Sequence, residues 1–320
     1  MATVLVTARS FSSGRRDVEA ELAAHGHTVV RGPAGHDLAS LANDLAGVAG
    51  WIAGTSPVTA DHLALAPRLR VVARYGVGVD AVDLGSAAER GIVVTNTPGA
   101  NSTAVAEHAL ALLLASLRGV AGGDRRVRAG DWAAWRGREL GGLTVGILGF
   151  GRIGRELARR LDGFGCRIVA ADPYVDAVAM RELGVEPVAA DELPERCDAV
   201  SLHAPGGQTV VDRSWLQRLR RPLHLVNTAR ADLVDEDALA AAIRDRPDLF
   251  YAADALTHEH GAGSGCALLA PELAERVLVT PHIAAQTVEA IDRMGGMAVE
   301  NVVAVLAGRT PPNPVPATRP

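Results

Sequence analysis

Short runs of β-branched and small apolar residues alternate with longer Ala/Leu/Arg stretches of helical period along almost the whole of this 320-residue chain. No other feature narrows the fold as much, because strand–helix–strand repeats close into parallel sheets covered by helices. Two series are visible. The first has expected strands at 2–7, 27–30, 50–54, 70–73 and 91–94, separated by expected helices around 15–25, 37–47, 58–66 and 83–90. The second has expected strands at 143–148, 166–171, 198–202, 223–227, 249–254 and 276–280. Between them lies STAVAEHALALLLASLR (102–118), with Ser102 as an N-cap candidate and apolar residues almost all round. That pattern predicts a helix buried against another domain or subunit.

Composition excludes several functions. An apolar content of 48% supplies material for two cores, while a net charge of −5 leaves no footprint for nucleic acid or an anionic membrane surface. All 32 basic residues are arginine, which rules out a lysine Schiff base, a pyridoxal-phosphate anchor and a P-loop lysine. No charged leader precedes the first strand, and no apolar run approaches the roughly 18 residues of a membrane helix. Cys166, Cys197 and Cys266 are too scattered for a zinc or redox motif, so reduced thiols in a cytoplasmic protein are expected.

The stretch Gly149-Phe150-Gly151-Arg152-Ile153-Gly154 follows the strand LTVGIL and opens the helical run RELARRL. A dinucleotide fingerprint needs this context: the first glycine for a tight turn, the second for backbone approach to pyrophosphate, the third for packing of helix on strand. Asp172 ends the next strand, 18 residues beyond Gly154, where a carboxylate can accept from both ribose hydroxyls. No arginine follows it in Pro173-Tyr174-Val175-Asp176, so NAD is expected rather than NADP. The predicted fold is α/β, a Rossmann-type NAD-binding domain (100–285) inserted in a smaller flavodoxin-like α/β substrate domain (1–99 and 286–320). The two crossings would form a hinge over a cleft.

Three ionisable residues stand at or just after late strands, where open α/β sheets place their ligands: Arg230, Glu259 and His282. An arginine can bind a carboxylate bidentately, and a histidine exchanges protons near neutral pH. A glutamate bonded to that histidine would fix its tautomer and raise its pKa. Glu259 stands in ADALTHEH, between His258 and His260; in an extended segment it points opposite to both, and a metal site is not expected.

On these residues the chain resembles the D-isomer-specific 2-hydroxyacid dehydrogenases. The carrying segments are RYGVGVDAVDL (74–84), GIVVTNTPGANSTAVAEHALALLLASLR (91–118), GILGFGRIG (146–154), NTARADLVDEDAL (227–239), ADALTHEH (253–260) and TPHIAAQT (280–287). Arg230, Glu259 and His282 are spaced by 29 and 23 residues, which fits the family's catalytic set. The resemblance implies that Arg230 binds the substrate carboxylate and carbonyl, His282 exchanges the proton, and Glu259 tunes His282. It implies that Gly76, Val77 and Gly78 add backbone donors; a phosphorylated substrate would need cations beyond Arg230, and Arg74 with Asn101 are the candidates for its contacts. Thr228, Ala229 and Asp254 would lie near the nicotinamide, His203, Ala204 and Pro205 on the adenine side, and a homodimer is implied. His108 is expected to be packed within its helix.

Several residues depart from the family pattern. Ala231-Asp232 follows Arg230 where the family has glycine next, which demands a backbone without strong positive φ and brings a negative charge near an anionic substrate. HAPGGQT (203–209) is one residue shorter than usual, and Leu256 stands where an aromatic is common. A phosphoglycerate-like substrate is favoured by local wording, with glyoxylate, hydroxypyruvate or a phosphonate-type hydroxy acid as alternatives. Glu259 argues against a formate dehydrogenase, where glutamine pairs with the histidine. A binding protein of the NAD-sensing corepressor type is the alternative of another class.

Overall fold

The computed structural model describes residues 1–257 and 265–316. It divides into two compact units, Met1–Asn101 with Ala285–Pro320, and Ser102–Ala284. In the first unit β1 (Ala2–Val6), β2 (His27–Arg31), β3 (Gly50–Ala53), β4 (Val71–Arg74) and β5 (Val93–Thr95) form a parallel sheet of order β2-β1-β3-β4-β5. Both β3 and β4 are buried throughout, as strands covered on two faces must be. Three connecting helices start where an aspartate can accept a free amide of the first turn: Asp17 from Ala20, Asp37 from Ser40 and Asp83 from Ser86. The long helix Val288–Leu306 packs on β3 and β4, and its fully buried Asn301 donates to Asn96 O and accepts from Asn313 N.

Just past β1, Thr7 organises a buried polar cluster. His36 Nδ1 meets Pro57 O at 2.9 Å, and His62 Nε2 meets His36 O at 2.8 Å. A carbonyl only accepts, so both nitrogens carry hydrogen in these contacts. The Thr7 hydroxyl then donates to neutral His36 Nε2 at 2.6 Å, while its oxygen accepts from Trp51 Nε1 and Gly54 N. Each polar atom named here has a partner, which offsets the cost of burying such a cluster.

The second unit holds a seven-stranded sheet: β6 (Thr144–Leu148), β7 (Arg167–Ala171), β8 (Glu186–Pro187), β9 (Ala199–Leu202), β10 (Leu223–Asn227), β11 (Leu249–Ala253) and β12 (Val277–Val279). Its order is β12-β11-β10-β9-β6-β7-β8, and every pair is parallel. The order runs outward both ways from β6 and reverses between β6 and β9, the switch point of a doubly wound sheet. Six strands were expected. The seventh, β8, is two residues long and contains a proline, so it shows no alternation and fits only at an edge.

The helix Ser102–Arg118 is buried as its pattern predicts: its apolar face, including Ala106, Ala109, Leu112, Leu113 and Leu117, packs on β10, β11 and the helix Arg152–Asp162 of its own unit. Ser102 is its first helical residue. The helix ends at Gly119, whose φ of 62° is left-handed, and Val120–Arg128 continues at a 58° bend. Among the described residues no single helix is long and apolar enough to cross a membrane.

Beneath that helix His224 of β10 is 4% exposed, stacks on Phe250 at 4.6 Å and bonds Ser116 Oγ through Nδ1. Burial pushes its pKa down to about 4 from 6.5, with Arg138 adding to the effect. The folded state therefore keeps His224 neutral while the unfolded chain protonates below about 6.5. Stability from this group is present above that pH and is lost as pH falls toward 4, by about 2 kcal/mol between pH 7 and pH 5. Denaturant titrations at the two pH values should show a smaller acid-induced loss in His224→Gln than in the wild type; equal losses would count against neutral burial.

Candidate active site

The fingerprint turn leaves β6 at Gly149, and each glycine there has a separate steric reason. Gly149 has φ of 93°, and a Cβ on it would lie 2.5 Å from His203 C and 2.6 Å from Ala204 N. Gly154 sits one helical turn on, and its Cβ would run into the carbonyl oxygen of Gly149. Gly151 is the opposite case: a Cβ there would meet nothing within 4 Å, although its φ of −72° suits any residue. Neighbouring protein does not demand a glycine at 151, and approach of an anion would. Arg152 and Ile153 begin the helix Arg152–Asp162, so their amides belong to its electropositive end.

Asp172 follows β7, beside β6. Its Oδ2 accepts from Phe150 N at 2.7 Å and its Oδ1 from Tyr174 N at 2.8 Å, which ties the end of β7 to the fingerprint turn. His203 and Ala204 leave β9 on the other side and close over Gly149; His203 Nε2 bonds Ser201 Oγ, while Nδ1 is buried without a partner. Pro205 follows and is exposed. At the end of β10, Asn227 holds the next turn: its Oδ1 accepts from Ala229 N and its Nδ2 donates to Arg230 O. Thr228 Oγ1 there is also buried without a partner. An open Gly151 and two unpartnered buried polar atoms on neighbouring strand ends fit a polar, phosphate-bearing cofactor.

Arg230 is half-buried, extended at φ −140°, and donates from Nη1 to Ala229 O. Ala231 enters a short 3₁₀ turn, so its methyl is accommodated without left-handed backbone. Asp232 bonds the amide of Gly207 at 2.6 Å. Leu256 is buried in the core of this unit.

Asp254 follows β11 and is 3% exposed. Its Oδ1 accepts from Ile283 N at 2.9 Å and from Thr280 Oγ1 at 2.5 Å, and its Oδ2 accepts from Ala284 N at 2.7 Å. His108 Nε2 lies 2.9 Å from Thr280 Oγ1 and 3.4 Å from Asp254 Oδ1. Since the threonine proton goes to Asp254, His108 Nε2 is the donor to Thr280. Burial opposes the charge on Asp254, yet the bonds from His108, Thr280 and the two amides outweigh it and hold the carboxyl below its usual range. These bonds flank His282, whose φ of 53° is rare for a residue with a side chain and whose amide donates to Thr280 O. Asp254 thus fixes the turn that presents His282. Helical spacing made His108 look like a packing residue; its hydrogen bonds reach 172 positions along the chain, and no local pattern signals them.

In the smaller unit Arg74 ends β4 and is buried, with Nη1 donating to Tyr75 O at 2.9 Å and Ala53 O at 3.3 Å. Gly76 follows with φ of 139°, and its carbonyl accepts from Thr97 N. Asn96 Nδ2 donates to Val77 O; Val77 is exposed and Gly78 half-buried. Asn101 Oδ1 is buried without a partner. Glu259, His258 and His260 lie outside the described residues. Among the described residues no group of three or more His, Cys, Asp or Glu could hold a metal ion.

Residues 110–284 match the family described as D-isomer specific 2-hydroxyacid dehydrogenase, NAD binding domain. The chain is 40% identical over 269 residues to a D-3-phosphoglycerate dehydrogenase of Mycobacterium leprae, covering 82% of this chain and 50% of that protein. It therefore spans about half the length of the first curated relatives it matches. A glyoxylate reductase of Korarchaeum cryptofilum is 39% identical over 268 residues, 81% of this chain and 80% of the relative. A crystal structure of a protein from Thermus thermophilus superposes with a TM-score of 0.86 at 36% identity, over 98% of this chain and all of the other. The D-lactate dehydrogenase of Aquifex aeolicus, solved with NAD and lactic acid, gives 0.83 at 25% identity over 96% of each chain.

The two later fingerprint glycines should separate in experiment. Gly151→Ala adds a methyl that touches no protein, so the melting temperature should hold within about 2 °C while NADH affinity falls by at least about ten-fold. Gly154→Ala should lower both, because the backbone must move. Fluorescence titration with NADH and thermal melts decide it; unaltered affinity in Gly151→Ala would remove the anion site from this turn.

Proposed function

The chain belongs to the D-isomer specific 2-hydroxyacid dehydrogenases, and from that premise we propose that it catalyses NAD-dependent oxidoreduction at the 2-position of a D-2-hydroxy acid or 2-oxo acid. One observation carries this reading. The fingerprint, Asp172, His203, Thr228–Arg230, Asp254 and His282 all follow the carboxyl ends of strands in one parallel sheet. NAD, when bound, supplies the site that accepts or gives the hydride.

The protein's own residues do the rest. Gly149, Gly151 and Gly154 with the helix-leading amides of Arg152 and Ile153 receive the pyrophosphate, and Asp172 receives the ribose hydroxyls. Thr228 and Ala229 line the nicotinamide end, with His203, Ala204 and Pro205 on the adenine side. Arg230 binds the substrate carboxylate through its planar fork. His282 gives its proton to the oxygen at the 2-position in reduction and takes it back in oxidation, and Glu259 holds the imidazole in the donating form. We assign residues 1–99 with 286–320 to the substrate and residues 100–285 to NAD. A cytoplasmic homodimer is part of this reading.

For the substrate, the Mycobacterium leprae relative's name favours a phosphoglycerate-like acid. The placement of Arg74 favours a small unphosphorylated acid such as glyoxylate or hydroxypyruvate, because this buried guanidinium is engaged by the carbonyls of Ala53 and Tyr75 and serves as support for the following turn.

NADH and NADPH oxidation should be followed with glyoxylate, hydroxypyruvate and phosphohydroxypyruvate. Turnover with NADH is expected, and its absence with every acid would favour the corepressor-like alternative. His282→Ala should lower kcat by about 10²–10⁴-fold with NADH binding retained; unchanged turnover would take proton transfer away from His282.

A further inference from the structure

Two departures from the family pattern meet in space. The Gly206-Gly207 turn of HAPGGQT lies against the Ala231-Asp232 turn, with Asp232 Oδ2 accepting from Gly207 N at 2.6 Å and Thr209 Oγ1 donating to Asp232 O at 3.0 Å. A Cβ on Gly206 would lie 2.9 and 3.0 Å from the Asp232 carboxylate oxygens and 3.1 Å from Arg230 Cγ. A side chain at position 206 would therefore press on both the Asp232 carboxylate and the stem of Arg230. Gly207 has φ of 101°, a conformation other residues rarely adopt.

We propose that Asp232 and the Gly206-Gly207 turn act together as a specificity-determining latch beside Arg230. Its first action is steric: Asp232 pins the Gly207 amide and the bare Gly206 leaves the Arg230 stem uncrowded, so Asp232 is a positioning residue for the carboxylate-binding arginine. Its second is electrostatic. A fixed negative charge beside Arg230 disfavours acids that carry a second anionic group over singly charged ones. Because Asp232 is exposed, water and salt screen that effect, and selection by charge is modest and dependent on ionic strength. The inference rests on the dehydrogenase reading for its kinetic part, whereas the packing of the two turns stands apart from any activity.

The test uses the full chain. Asp232→Asn keeps an oxygen for the Gly207 amide and removes only the charge. It should raise kcat/KM for phosphohydroxypyruvate relative to hydroxypyruvate by about three-fold at low salt, with the gain fading as salt is added. Gly206→Ala should raise KM for hydroxypyruvate by about ten-fold and leave NADH affinity within about two-fold. In thermal melts, Gly206→Ala should cost less in an Asp232→Ala background than in the wild type, since the clashing carboxylate is gone. Equal costs in both backgrounds would overturn the latch whatever the enzyme does. A selectivity ratio that Asp232→Asn leaves unchanged would overturn the charge effect. No turnover of any 2-oxo acid by the wild type would overturn the dehydrogenase reading and the selectivity claim with it, and the melts would still judge the latch.

Discussion

In a sheet whose strands all run the same way, every strand ends at the same edge, and the turns that follow must share that edge whatever their distance in sequence. Seven parallel strands do this in the larger unit, and the reversal between β6 and β9 opens a gap there. The fingerprint occupies the ends of β6 and the following helix, flanked by Asp172 after β7 and His203 after β9. Arg230 and His282 follow β10 and β12, with β11 between them. Residues separated by more than a hundred positions are thereby arranged along one line. Parallel register needs both faces covered, which accounts for the apolar strands and for the helix Ser102–Arg118 lying on β10 and β11.

Precision at that edge comes from a few buried polar groups. Asp254 could not remain charged at 3% exposure without compensation, and its partners include the amides of Ile283 and Ala284, the two residues that follow His282. The same hydrogen bonds that stabilise the carboxylate hold a histidine in left-handed backbone, a conformation the chain would leave if unsupported. Asn227 acts similarly on Arg230 by bonding on both sides of Ala229. These residues act through the backbone on the turns that carry Arg230 and His282, and their contribution is geometry.

The dinucleotide turn of the candidate site could be read from the chain because its steric demands are local. Glycines at 149, 151 and 154 with a strand before and a helix after define a turn in six residues, and an acid 18 positions later falls at the next strand end by the length of a βα unit. What escaped was long-range. His108 looked apolar in context and proved to be a donor to Thr280, and Asp254 proved to be held by the 280–284 turn. The strand β8 is too short for any periodicity. Asp232 looked like an isolated charge near the substrate until the Gly206-Gly207 turn came to lie against it.

The sequence by itself determined the α/β class, the parallel sheets and the position of the dinucleotide turn. Periodicity and glycine spacing are properties of neighbouring residues, so one chain carries them openly. Only the tertiary structure decided which face the long helix buries, what compensates Asp254, and that the Asp232 carboxylate meets the Gly206-Gly207 turn. Those outcomes depend on which strand ends are neighbours in the sheet, an order set by packing and crossover connections.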